Sequence, residues 1–207
     1  MITVLLADDQ AMIRQAFRAL LELEADISVV GQAGDVAETV RKVTETRPAV
    51  VLLDVQMPSP EHPHTDGIDA CAAITREHPG TRVIILTTFG RPGYLRRAME
   101  AGAVGYMVKD APAEQLIDGI RRVYQGLRVV DPSLAAVSLS IGSSPLTHRE
   151  HEVLAVAASG ASTSVIAGQV FLSEGTVRNH LSAAMGKLGA GSRAEAVRIA
   201  TENGWLG

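Results

Sequence analysis

The sequence predicts an open, parallel α/β sheet in its N-terminal part and a separate all-α domain after it. Two observations carry that expectation. Between Met1 and about Gly126, short apolar runs alternate five times with segments of helical periodicity, and from Leu146 onward the periodicity is helical alone. Short, continuously apolar runs rich in β-branched residues read as strands buried on both faces, as in a parallel sheet whose crossovers are helices. Such crossovers are right-handed and cover the sheet with helices.

The first strand is Ile2-Thr3-Val4-Leu5-Leu6-Ala7, after which Ile13, Ala16, Phe17, Leu20 and Leu21 recur at helical spacing. Ile27 to Val30 is the second strand, and Val36, Val40 and Val43 mark the second helix. The third strand runs from Ala49 to Asp54, between Pro48 and the Met57-Pro58 that turns the chain out into a loop. A third helix follows from about Ile68, with Ala72 and Ile74 inward, and Arg82 to Thr88 makes the fourth strand. The helix around Tyr94 to Ala101 leads through Gly102 to a fifth strand, Val104 to Val108. Pro112 suits the opening of a last helix, whose apolar face is Leu116, Ile117, Ile120 and Val123. The expected strand order is the flavodoxin-like 2-1-3-4-5.

Composition narrows the function classes. With 207 residues, 46% hydrophobic and 20% charged, the chain is globular and has room for one large domain or two small ones, of which two are expected. Its single cysteine, Cys71, rules out internal disulfides and cysteine-rich zinc sites and reads as a small core residue in a reducing compartment. Neither a signal peptide nor an apolar run of membrane-spanning length is evident, so a cytoplasmic location and no membrane partner are expected. A net charge of -4 argues against indiscriminate polyanion binding, so any nucleic-acid contact must come from a local patch.

The chemistry gathers where the strands end. In a parallel sheet all strands point the same way, and functional groups of open α/β sheets collect at the C-terminal edge. The first strand delivers Asp8-Asp9 there and the third delivers Asp54. Three crowded carboxylates repel unless a hard cation sits among them, and Mg2+ suits oxygen ligands with retained waters. Thr87 closes the fourth strand and Lys109 follows the fifth, adding a hydroxyl and an ammonium. Each residue alone has an ordinary reading: an Asp after a strand is a turn former or cap, and a strand-end Lys is usually solvated. Their joint arrival at one edge is what points to a metal-assisted phosphate site.

On these residues, the stretch from 1 to about 126 resembles the receiver domain of two-component response regulators, with an acidic pair after strand one, Asp after strand three, Thr after strand four and Lys after strand five. The resemblance implies that Asp54 is the phosphoacceptor. It implies that Asp9, Asp54 and the backbone carbonyl of Gln56 hold Mg2+, with Asp8 supporting the metal through water. Lys109 would pair with the phosphoryl oxygens, Thr87 would hydrogen-bond the phosphoryl group, and Tyr106 would be the aromatic switch. One segment departs from the pattern: between Pro58 and Asp66-Gly67 the chain inserts Ser59 to Thr65, including His62 and His64, where receivers turn in a couple of residues. Two histidines in a proline-rich surface loop are most simply read as solvated.

Leu127 to Pro145 mixes short apolar pieces with Pro132, Gly142, Ser143, Ser144 and Pro145, the composition of a linker with one helical turn around Leu134 to Leu139. The domains are thus expected at 1–126 and 146–207, with a linker at 127–145. Thr147-His148-Arg149-Glu150 reads as a capping box opening a helix with Val153, Leu154 and Val156 inward, and Gly160 ends it. A short helix from about Ser162 to Val170 and a longer one from Glu174 to about Leu188 form a helix-turn-helix unit. Ser192-Arg193-Ala194-Glu195 reads as a second capping box before the last helix.

On the helix from Glu174, Val177, Leu181, Ala184, Met185 and Leu188 make the core stripe at about 100° per residue. The opposite face has Gly175, Asn179, Ser182, Ala183 and Gly186, flanked by Arg178 on one side and Thr176, His180 and Lys187 on the other. Small residues at its centre permit close approach to a duplex; the same face also fits a solvated bundle surface. Residues 146–207 resemble the LuxR-type helix-turn-helix of NarL/FixJ response regulators through Leu146-Thr147, Arg149-Glu150, Glu152-Val153-Leu154, Ile166-Ala167, Leu172-Ser173, Thr176-Val177-Arg178, His180 and Lys187-Leu188-Gly189. Thr163 and Val165 replace the usual Asn and Glu. The resemblance implies that Arg178 and Asn179 read bases while Thr176, His180 and Lys187 contact the DNA backbone.

The whole chain then reads as a transcription factor rather than an enzyme. The resemblance implies that a sensor histidine kinase would phosphorylate Asp54, that the receiver would dimerise, and that two C-terminal domains would engage a double-stranded DNA operator. The rival reading is a Mg-dependent phosphatase, but those enzymes resemble one another in an Asp-x-Asp after the first strand, whereas here Asp8 and Asp9 are adjacent. A third reading is a protein-interaction regulator whose helical domain never touches DNA.

Overall fold

The structure is a computed structural model that describes residues 1–57, 66–88, 92–132, 134–135 and 144–206. These fall into two compact units, the first ending at Ala135 and the second holding the C-terminal helices. The inserted loop with His62 and His64 lies outside the described residues, as do 136–139 of the expected helical turn. No helix among the described residues is long and apolar enough to cross a membrane.

In the first unit, β1 (Ile2–Ala7), β2 (Ile27–Ala33), β3 (Val50–Asp54), β4 (Arg82–Thr87), β5 (Gly105–Val108) and β6 (Val129–Val130) form one sheet in the order β2-β1-β3-β4-β5-β6. All pairings are parallel. The expected order of the first five strands holds, and a sixth is added. This corrects the reading of Leu127 onward as linker: Val129 and Val130 pair with Gly105 and Tyr106, and Leu134 is buried. Two consecutive valines are too short a run to show a period of two, so only the tertiary partner reveals the strand.

Among the described residues, five helices cover the sheet: α1 (Ala11–Leu21), α2 (Val36–Thr46), α3 (Gly67–Glu77), α4 (Pro92–Glu100) and α5 (Ala113–Tyr124). Leu21 from α1 and Leu116, Ile117, Ile120 and Val123 from α5 share one core with Val4, Leu6, Val50, Leu52, Ile84 and Leu86 from alternate strand positions. Period two in the strands and 3.6 in the helices thus meet on one apolar layer. Cys71, on α3, is fully buried and its thiol faces the Ala101 carbonyl at 3.7 Å. Burial without an anion-stabilising partner pushes that thiol up to about 12.

The start of α3 is held unusually close to the third strand. Gly67 donates its backbone N–H to the Val55 carbonyl at 2.9 Å. A Cβ at Gly67 would lie 1.8 Å from the Asp54 carbonyl oxygen, so only glycine fits. Asp66 caps the helix in a capping box with Asp69, and its carboxylate also meets Arg97 on α4 at 3.1 Å. Burial pushes the Asp66 carboxyl up, partly offset by the Arg97 charge. The Asp-x-x-Asp spacing escapes the sequence analysis because the usual partner three residues on is Glu or Gln.

The second unit packs α6 (His148–Ala157), α7 (Thr163–Gln169), α8 (Glu174–Leu188) and α9 (Arg193–Glu202) around Val153, Leu154, Ile166, Val177, Leu181, Ala184 and Ala196. Each helix opens on a hydroxyl N-cap, at Thr147, Ser162, Ser173 and Ser192. The Thr147–Glu150 capping box forms as expected. At Ser192 only half of it does: Ser192 accepts from the Glu195 N–H, but the Glu195 carboxylate turns to the N–H of Gly191 at 2.8 Å. The α7–α8 turn passes through Phe171 in the left-handed region at φ 55, and the residue is 93% exposed.

Gly67→Ala is expected to destabilise the first unit by about 1–3 kcal/mol, because the methyl meets backbone that cannot yield. Gly80→Ala, with nothing within 4 Å of the added Cβ, should leave the urea-unfolding midpoint of the full chain unchanged beside it.

Candidate functional site

Parallel register sets the ends of four strands side by side. Ala7 pairs with Leu53, Asp54 with Leu86, and Thr87 with Val108, so Asp8, Asp54, Thr87 and Lys109 reach one edge within a residue of each other's level. Asp8, Asp54 and Thr87 are buried, while Asp9 is exposed. The Lys109 Nζ sits between the two buried acids, 2.6 Å from Asp8 Oδ2 and 2.8 Å from Asp54 Oδ2. Its own backbone N–H donates to the Thr87 carbonyl at 2.8 Å, which fixes where the lysine leaves the sheet.

Electrostatics at this edge are those of a crowded anion site. Burial pushes the Asp54 carboxyl up, Lys109 pulls it back, and the neighbouring Asp8 charge pushes it up again. For Lys109, burial works against the ammonium, but hydrogen bonds to Asp54 and Asp8 more than compensate and hold its pKa above the usual lysine range. Carboxylate oxygens of Asp8, Asp9 and Asp54 come within 4.8 Å of one another. Three hard oxygen donors, one of them exposed and open to waters, fit Mg2+ better than any softer metal.

The remaining receiver residues take distinct places. Gln56 lies exposed two positions beyond Asp54, and its backbone N–H donates to the Asp54 carboxylate. Tyr106, on β5, is completely buried, so the ring already occupies the interior. Sequence reasoning missed Arg14, on α1, whose guanidinium donates to the Asp8 carbonyl and braces the turn that presents the acidic pair. Nothing in the pattern marks it, since a lone Arg in the first turns of a helix is ordinary.

On the helical unit, α8 presents the face the periodicity predicts. Val177, Leu181 and Ala184 are buried, Arg178, Asn179, Ser182 and Ala183 are exposed, and Thr176 and His180 lie half-buried at the margin. The Thr176 hydroxyl is 2.8 Å from the Ser173 Oγ. Arg178 pairs with Glu174 one turn earlier at 2.9 Å. Lys187 is already engaged: its ammonium lies 2.7 Å from the buried Glu150 carboxylate on α6. Burial works against the Glu150 charge, but Lys187 and the Thr147 N–H hold its carboxyl below the usual range.

Comparison with known proteins agrees with both units. Residues 4–121 match the response regulator receiver domain, and residues 144–200 match the bacterial regulatory proteins of the luxR family. The chain is 40% identical over 206 residues to YvfU, an uncharacterized transcriptional regulatory protein of Bacillus subtilis (strain 168), covering 100% of both chains. It is equally 40% identical over 206 residues to the transcriptional regulatory protein DesR of the same organism, again covering 100% of both. Among solved structures, a two-component response regulator of the LuxR family from Aurantimonas sp. SI85-9A1 aligns at TM-score 0.61 and 30% identity, covering 67% of this chain and 95% of that one. The chain therefore belongs to the LuxR-type two-component response regulators, transcriptional regulators that join a receiver to a helix-turn-helix DNA-binding domain.

Proposed function

We propose that Asp54 is the phosphoacceptor of this receiver and that its phosphorylation by a sensor histidine kinase in the cytoplasm promotes dimerisation and operator binding. The observation that carries the reading is Lys109 Nζ held between Asp8 and Asp54 at the open end of the sheet. A carboxylate attacks an anionic phosphoryl donor slowly unless positive charge offsets the equatorial oxygens. Mg2+ held by Asp9, Asp54 and the Gln56 carbonyl, with Asp8 behind it, would supply part of that charge. Lys109 supplies the rest. The Asp54 oxygen bonds to phosphorus as the phosphorus–nitrogen bond of the donor phosphohistidine breaks, and the imidazole leaves with the electron pair.

Once formed, the acyl phosphate presents new acceptors to Lys109 and to the Thr87 hydroxyl. Lys109 then exchanges a carboxylate for a phosphoryl oxygen, and Thr87 moves toward the group. That movement vacates space into which the ring of Tyr106, already buried, rotates, so that the face carrying α4 and β5 changes shape. In the DNA-binding domain, Arg178 and Asn179 read base edges from the exposed face of α8, while Thr176, His180 and Lys187 approach the backbone. Lys187 does so while still tied to Glu150, so its contribution is the smallest. The five basic side chains of the domain, Arg149, Arg178, Lys187, Arg193 and Arg198, are matched by Glu150, Glu152, Glu174, Glu195 and Glu202. One copy therefore binds weakly, and two copies on paired half-sites are required, with α9 as the dimer contact on DNA.

Asp54→Asn should abolish label incorporation from a small phosphodonor, and chelation of divalent metal should do the same to the wild type; retention of the wild-type rate in the variant would overturn the assignment. Without metal, Asp54→Asn should also raise the thermal midpoint by removing a buried charge from the anion cluster. Adding Mg2+ at a hundred times its Kd should stabilise the wild type by about 2.7 kcal/mol and the variant by much less. Phosphodonor should raise the dimer fraction, read by sedimentation, and operator affinity together. Arg178→Ala should cost about 1–3 kcal/mol of operator binding in a mobility-shift titration.

A further inference from the structure

The acidic residues of the DNA-binding domain have different surroundings. Glu150 is buried against Lys187, Glu152 and Glu202 pair with arginines on α6 and α9, and Glu195 meets the Gly191 N–H. Glu174 stands in the first turn of α8, on the helix assigned to the major groove. Its Oε2 accepts from Arg178 Nη2 at 2.9 Å, with the two side chains 49% and 65% exposed. A carboxylate in a first turn suits the helix dipole. At a surface that must approach phosphates within a Debye length of about 8 Å it is unfavourable. The dipole and an exposed pair of this kind each contribute only a little to folding, and that gain stands against the repulsion the same charge meets from nearby phosphates.

The geometry of arginine gives it a use. The guanidinium has five N–H donors, and Glu174 takes one on Nη2. The remaining donors still suffice for a bidentate contact with O6 and N7 of a guanine. A phosphate contact by Arg178 differs, because it brings a second anion beside the Glu174 carboxylate. We propose that Glu174 is a specificity-determining residue, holding Arg178 for base-edge contact and penalising its use on the DNA backbone where the sequence is wrong. The ligand is duplex DNA with a guanine opposite Arg178, and the inference rests on the reading of α8 as the DNA-reading helix.

The test uses the full-length chain treated with phosphodonor. A preferred duplex is selected from a random pool with the wild type, and a scrambled duplex of equal composition is the comparison. Wild type, Glu174→Gln, Arg178→Ala and the double variant are titrated on both at several salt concentrations. Glu174→Gln should tighten binding to the scrambled duplex by about three- to tenfold while changing the preferred one less than about twofold, and should steepen the salt dependence on scrambled DNA. In the Arg178→Ala background the same change should leave the ratio of affinities unaltered. An unchanged or improved ratio for Glu174→Gln, while Arg178→Ala lowers it, would overturn the proposal alone. So would a loss of affinity for both duplexes together with a lowered unfolding midpoint, the mark of a merely structural residue. If Arg178→Ala leaves the ratio intact, the assignment of α8 fails and the proposal with it.

Discussion

The first unit depends on one ammonium shared between two buried carboxylates. Asp8 and Asp54 are brought together by the pairing of β1 with β3. The ammonium between them is that of Lys109, which arrives from β5, separated from β1 by β3 and β4 in the sheet. Removing the ammonium from such a set leaves uncompensated buried charge, which costs about 3–5 kcal/mol in comparable sites. A cluster balanced this closely responds to any added anion. A phosphoryl group on the central acid replaces one negative charge by about two, a net change of about one, and gives Lys109 a better partner. The arrangement thus stores its responsiveness in electrostatics, while the apolar layers beneath it stay close-packed and transmit the displacement.

Around that cluster, backbone geometry is exacting where side-chain chemistry is ordinary. Gly67 lets α3 begin against the Asp54 carbonyl, and Asp66 ties the same helix start to Arg97 on α4. Arg14 steadies the acidic pair from α1 through the Asp8 carbonyl. The DNA-binding domain solves a different problem. Its α8 must be rigid yet present a smooth outer face, and it gains rigidity from the Ser173 cap and from the Lys187–Glu150 pair that fastens its far end to α6.

Much of this was legible in the residues themselves. The five strands and the convergence of Asp8, Asp54, Thr87 and Lys109 follow from apolar runs ending in polar groups, because a parallel sheet leaves no freedom about which edge they reach, while the strand order came from the flavodoxin-like expectation. The faces of α8 were equally legible, since 3.6-residue periodicity sorts them without reference to neighbours. What escaped depends on partners distant in the chain. β6 exists because β5 offers an open edge; Arg14 matters because a carbonyl lies within its reach; Lys187 is occupied because Glu150 is buried opposite it. The Glu195 carboxylate choosing Gly191 over Ser192 is a local contest between two nearby N–H groups, which a four-residue motif cannot decide.

The buried position of Cys71 has a practical corollary. A thiol held so far toward its protonated form carries almost no thiolate at neutral pH, and oxidants and alkylating reagents act on the thiolate. The chain's sole native sulfhydryl is therefore chemically silent. A cysteine introduced on an exposed position of α4 or α8 would take a spin or fluorescent probe without competition, turning the wild-type background into a ready-made host for following the rearrangement by spectroscopy.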